Sequence, residues 1–108
     1  MDNEEKKVQE SRLRKVREIF NLALGVNLKT KHHAFFGLSP HVQGVRVEIY
    51  ENGWERGKEK RIIMSAYYND MESTNSKPDL MLNEYSLQAI INVLRAALDG
   101  TLDFDKYQ

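Results

Sequence analysis

The chain has 108 residues, 41 % apolar and 30 % charged, which is enough for one globular domain and well above the apolar content of a disordered chain. Sixteen Lys and Arg balance sixteen Asp and Glu, so no net field recruits a polyanion; the absence of cysteine excludes disulfides, Cys-ligated zinc and thiol catalysis. The polar start Met1–Lys7 does not read as a signal peptide, and no apolar run approaches the roughly 20 residues that cross a bilayer, so a cytoplasmic chain without membrane contact is expected.

Asn3 to Leu24 reads as a helix. Asp2 stands three residues before Glu5 as a capping pair, and Leu13, Val16, Phe20, Ala23 and Leu24 recur at three- and four-residue steps. Gly25 reads as the residue that ends this helix in a left-handed conformation. Between Asn3 and Glu10 only Val8 is apolar, so residues 1–10 are expected to fray. His33 to Leu38 reads as a strand closed by Ser39-Pro40, because proline lacks the amide donor a ladder needs. Val45, Val47 and Ile49 alternate with polar neighbours and mark a second strand. Asn52-Gly53 is a strong hairpin signal, followed by Trp54 and the polar run Glu55–Lys60. Ile62 to Tyr68 then gives a third strand, and the three form an antiparallel meander.

Asn69–Pro78 has the composition of a loop. Leu80–Leu82 reads either as a short fourth strand at the sheet edge or as the lead into a helix, with Asn83 as the N-cap. Leu87, Ile90, Ile91, Leu94, Ala97 and Leu98 form the cleanest amphipathic pattern in the chain, ended by Gly100. Residues 101–108 are a tail holding Leu102, Phe104 and Tyr107. A sheet with one apolar face is not stable alone in water, so both helices are expected on that face. The expected fold is a single α+β domain over residues 1–108: N-terminal helix, three-stranded meander, C-terminal helix.

Catalytic patterns are thin. His32, His33 and His41 lie within ten residues, but neighbours on a strand point to opposite faces, so His32 and His33 do not share a metal there. Glu48, Glu51, Asp70 and Glu72 are not embedded in apolar sequence, as tuned acid–base pairs are. Pro78-Asp79 lacks the Glu-x-Lys element of a metal nuclease, the glycines form no phosphate-cradling loop, and Ser39 is not in a nucleophile elbow. The expectation is a non-catalytic protein without cofactor or metal.

Binding is the better reading. Tyr50, Trp54, Tyr67 and Tyr68 are residue types that anchor interfaces with a protein partner or a second copy. Charge is graded along the chain: residues 1–33 hold eight basic and five acidic residues, residues 70–108 three and seven. Such a dipole suits opposite partners or a homodimer. The alternative is nucleic acid: Lys7, Arg14 and Lys15 fall together on the first helix with Arg17 nearby, and Arg56 and Lys58 add charge in the hairpin loop.

Two resemblances bear on this choice. The order helix–three strands–helix, with Ser39-Pro40-His41 and then Val45, Val47 and Ile49, resembles the double-stranded-RNA-binding domain. That resemblance implies phosphate-gripping lysines at the start of the second helix; this chain has Asn83-Glu84-Tyr85-Ser86-Leu87 there and no base before Arg95. His33-Ala34-Phe35-Phe36-Gly37, His41-Val42 and Val47-Glu48-Ile49-Tyr50-Glu51-Asn52-Gly53-Trp54 look like small proteins from phages and prophages of Gram-positive bacteria. The second resemblance implies a cytoplasmic accessory protein that binds a host or phage factor, and it names no reaction.

Overall fold

The alternation of Val45, Val47 and Ile49 fixes the inner face of the sheet, because successive side chains on a strand point to opposite sides. In the computed structural model, which describes residues 3–55 and 60–108, the elements are α1 (Asn3–Lys29), β1 (His33–Ser39), β2 (Gly44–Tyr50), β3 (Arg61–Tyr67), α2 (Leu87–Asp99) and a 3-10 turn (Phe104–Tyr107). The three strands are antiparallel in the order β1-β2-β3. Their register sets Ala34, Ile49 and Ile62 in one row, Phe36, Val47 and Met64 in the next, and Leu38, Val45 and Ala66 in the third. These rows face the helices. Ile19, Ala23 and Val26 of α1 and Leu87, Ile90, Ile91 and Leu94 of α2 are buried with them in one apolar layer. Each large side chain there contributes about 1.5–3 kcal/mol through its removal from water. The α+β architecture expected from the sequence is therefore the one observed. No helix among the described residues is long and apolar enough to cross a membrane.

Several local expectations change. α1 does not stop at Gly25 but runs to Lys29, because Val26 is fully buried and its burial outweighs the roughly 1 kcal/mol a helical glycine costs. The helix ends instead at Thr30, whose N–H and Oγ1 both donate to the Val26 carbonyl (3.1 and 2.7 Å). Gly25 lies against Leu98 of α2; a Cβ there would sit 3.4 Å from Leu98 Cδ2. From Asn3 to Glu10 the chain is helical and exposed; Asp2 lies outside the described residues.

Leu80–Leu82 is not a fourth strand. Asp79 and Glu84 exchange backbone hydrogen bonds (2.8 and 3.0 Å), which folds residues 80–83 into a turn with Met81 almost fully exposed. Asn83 is not the N-cap of α2. It sits at φ 55°, and its carbonyl accepts the Ser65 N–H (2.7 Å) while Tyr85 N–H donates back to Ser65 O (2.8 Å). The cap is Ser86, whose Oγ accepts the Ala89 N–H at 3.0 Å. Gly100 closes α2 at φ 81°, as its position predicts. The tail packs back: Phe104 is buried, the Tyr107 ring stacks 6.3 Å from that of Tyr85, and burial with Tyr107 nearby pushes the Tyr85 hydroxyl up to about 12.

Gly25 separates the two accounts of α1. A glycine ending a helix at positive φ resists alanine, whereas a mid-helix glycine with room beside Leu98 is improved by it. Gly25→Ala is expected to raise stability by about 0.5–1 kcal/mol. The midpoint of urea unfolding measures this, and a lowered midpoint contradicts the continuous helix.

Candidate functional site

The same alternation that buries one face of the sheet leaves the other without a helix over it. This outer face carries the rows His33, Tyr50, Arg61; then Phe35, Glu48, Ile63; then Gly37, Arg46, Ser65; and finally Ser39, Gly44, Tyr67. Phe35 meets Tyr50 edge to face, with centroids 5.5 Å apart and planes at 81°. Arg61 covers the other side of Tyr50: its Cζ lies 5.7 Å from the ring centroid, and its Nη1 donates to the Tyr50 hydroxyl at 2.9 Å. Tyr50 is consequently only 6 % exposed although it lies on the uncovered face. Phe35 and Trp54 remain 48 % and 54 % exposed and, with Glu48 and Tyr50, line a shallow cleft of about 380 Å3. Glu48 is held between Arg46 (3.4 Å) and Arg61 (4.0 Å). Exposed ion pairs of this kind add little stability, but here they fix the direction of a carboxylate at the cleft wall.

The main chain leading to Trp54 is positioned by a set of polar contacts. The Asn52-Gly53 pair adopts φ 58° and 98°, and the Gly53 N–H donates to Tyr50 O (3.2 Å). A side chain at Gly53 would meet the Lys31 carbonyl and the His33 ring at 3.3 Å, so glycine is needed where the loop crosses the start of β1. His32 Nδ1 accepts the Asn52 N–H (3.0 Å) and His33 Nδ1 accepts the Trp54 N–H (2.7 Å). Two adjacent histidines thus clamp two alternate amides of the loop, each as an acceptor at Nδ1 with its proton on Nε2. Asn52-Gly53 does not make a two-residue hairpin: Glu51 N–H bonds Lys60 O (3.2 Å), and β3 begins only at Arg61. Behind the clamp, the His32 ring lies 5.1 Å from that of Phe104. Burial lowers the His32 pKa below its ordinary 6.5, with the charge of Glu51 opposing in part. Among the described residues no group of three or more His, Cys, Asp and Glu is placed to hold a metal.

The four aromatic residues singled out by sequence do not converge. Tyr50 and Trp54 share the cleft. Tyr67 is on the same face but at the opposite end of β3, beside Arg46 and Leu82. Tyr68 packs at the edge of the core, near Arg12 and Asn69. Phe35, which sequence reading passed over, completes the cleft. Its signal was the parity of β1, which puts His33, Phe35 and Gly37 opposite the apolar set Ala34, Phe36 and Leu38. On α1, Lys7, Arg14 and Arg17 are exposed and Lys15 is half-buried. Nearby Arg12 is bonded to Glu72 (2.7 Å) and Asp70 (3.4 Å), at the end of the sheet where β3 finishes. Arg56 and Lys58, the remaining bases of the nucleic-acid reading, lie outside the described residues. At the start of α2, Ser86 and Leu87 are buried, and Arg95 further along is bonded to Glu18. No protein-family model, curated protein or solved structure matches the chain.

The histidine clamp carries a pH dependence whose sign follows from the lowered His32 pKa. The neutral ring is favoured in the folded chain, so its stabilising contribution is complete above pH 6.5 and is lost as pH falls through the lowered value. Protonation of Nδ1 also removes the acceptor for Asn52 N–H. Urea midpoints and Trp54 emission between pH 8 and pH 5 are expected to report a loosening on the acid side. His32→Asn, which offers an uncharged acceptor, flattens that response; an unchanged acid transition in this variant assigns it to another group.

Proposed function

We propose that the chain is a non-catalytic binding module that seats a protein partner on the outer face of its sheet. In this reading it is an accessory protein of a phage or prophage, and its target is a host or phage factor. The observation that supports it best is the pair Phe35 and Trp54, both half-exposed, lining a cleft whose floor is Tyr50. Aromatic side chains with few rotatable bonds make efficient anchors, because little entropy is lost when a partner covers them. Tyr50 is already held by Arg61, and the main chain at Trp54 by His33, so part of the cleft is organised before a partner arrives. The complementary surface presents an apolar side chain to the cleft and a hydrogen-bond donor to Glu48. The phage or prophage assignment rests on the sequence resemblance alone.

A photo-crosslinking residue at position 35, used in cells of the source organism, is expected to yield a discrete protein adduct. The same residue at Gln88, on the exposed side of α2, yields none. Trp54→Ala is expected to weaken capture of that partner by about 30-fold, the cost of an interface anchor of roughly 2 kcal/mol. Adducts to nucleic acid only, or equal labelling from both positions, overturn the proposal.

A further inference from the structure

The two edges of the sheet are treated differently. In an antiparallel ladder, alternate residues turn both backbone groups towards a neighbouring strand or both away from it. At the β3 edge part of the outward backbone is occupied: Ser65 exchanges hydrogen bonds with Asn83 and Tyr85 in the middle of the strand, and Gln108 Nε2 donates to the Arg61 carbonyl at 2.9 Å. At the β1 edge, Ala34 gives its N–H to Asn27 Oδ1 (2.7 Å) and receives Asn27 Nδ2 on its carbonyl (2.8 Å). The side chain of Asn27 thus stands in for one residue of a missing strand. The same alternation turns the N–H and C=O of Phe36 and Leu38 outwards, and among the described residues no protein group takes them. From Ala34 to Ser39 there is no charged residue and no proline, the usual devices that blunt an open edge.

Apolar surface lies directly beside these free groups. On α1 the apolar residue at this edge is Phe20, which is 46 % exposed. A hollow of about 460 Å3 opens between α1 and the edge, where Phe20 meets Phe36 edge to face at 5.3 Å and Leu38 is 53 % exposed. The exposed parts of Phe20 and Leu38 come to roughly 200 Å2 of contiguous apolar surface. That is about a quarter of the ~800 Å2 each partner gives to a standard interface, and Phe36 and the strand backbone add to it.

We propose that β1 pairs antiparallel with β1 of a second copy of this chain about a twofold axis at Gly37, making one continuous six-stranded sheet. In this register Phe36 stands opposite Leu38 of the second copy, and Leu38 opposite its Phe36. Both residues have free outward groups, so four backbone hydrogen bonds form. The next outward pair sets Ala34, already bonded to Asn27, opposite Pro40, which has no N–H to donate. The register that joins the free residues therefore also brings the two blocked ones together. Such self-complementarity is what a twofold interface requires and a foreign strand does not. Gly37 fits the same place. A Cβ there would meet nothing within 4 Å and its φ is not positive, so nothing inside the chain demands glycine. On the axis it faces its own copy at the closest strand spacing, about 4.5 Å between Cα atoms. An uncharged edge meets itself without repulsion, and the twofold places both copies of α1 on one side of the sheet. Phe35 and Trp54 stay uncovered on the other, so self-pairing and partner binding at the outer face stand or fall separately.

The absence of native cysteine gives a direct test. Gly37→Cys is expected to form an intermolecular disulfide readily, because residue 37 faces its copy within disulfide reach, whereas Gln88→Cys on the exposed side of α2 stays reduced under the same mild oxidation. Sedimentation equilibrium of the full unmodified chain at micromolar concentration is expected to give twice the 12.6 kDa chain mass. Leu38→Lys, with an unchanged circular dichroism spectrum, is expected to give the single-chain mass. A single-chain mass for the unmodified protein up to millimolar concentration overturns the proposal. So does cross-linking of Gly37→Cys no faster than Gln88→Cys, which would leave the edge to a strand of another protein.

Discussion

The molecule depends on one apolar layer, closed by β2 in the middle. Val45, Val47 and Ile49 are flanked on both sides by inward residues of β1 and β3 and roofed by Ile19, Ala23 and Val26 of α1 and by the apolar side of α2. Because side chains alternate on a strand, fixing this face also fixes what stands on the other. Phe35, Glu48, Tyr50 and Arg61 are displayed outwards as a consequence of which of their neighbours are buried. A one-residue shift of β2 against its neighbours would place Arg46 and Glu48 in the core, so burial of β2 enforces the geometry of the outer cleft.

Long-range polar contacts then settle details that the apolar layer leaves open. Asn27, Asn83, Gln108 and the two histidines each satisfy backbone groups at the margins of the sheet. Each such hydrogen bond is worth about 0.5–1.5 kcal/mol, and together they decide where strands stop and how the chain leaves β2. The margin at β3 is held by such contacts at Arg61 and Ser65. At β1 they stop after Ala34.

Elements whose signal is periodic were legible in the sequence: the three strands from their two-residue alternation, and α2 from its three- and four-residue spacing. Features set by distant neighbours were not. Gly25 reads as a helix stop because glycine favours positive φ, yet burial of Val26 carries the helix past it. Asn83 and Ser86 are both good capping residues; only the bond between Asn83 O and Ser65 N–H assigns the role to Ser86. At the candidate site, Tyr50 and Trp54 were recognisable by type, and Phe35 by strand parity. The clamp formed by His32 and His33 has no sequence signature, because its partners lie about twenty residues away across a turn.

The 3-10 turn at Phe104–Tyr107 joins parts of the chain that are far apart in sequence. Phe104 backs the His32 ring, Asp105 holds Lys60 at 2.8 Å, and Gln108 bonds the carbonyl of Arg61, the residue that caps Tyr50. Three short tethers thus run from one terminal segment to the floor and the hinge of the cleft. Anything attached after Gln108, such as an affinity tag, bears on the outer-face cleft, whereas the exposed opening turns of α1 offer a more neutral handle.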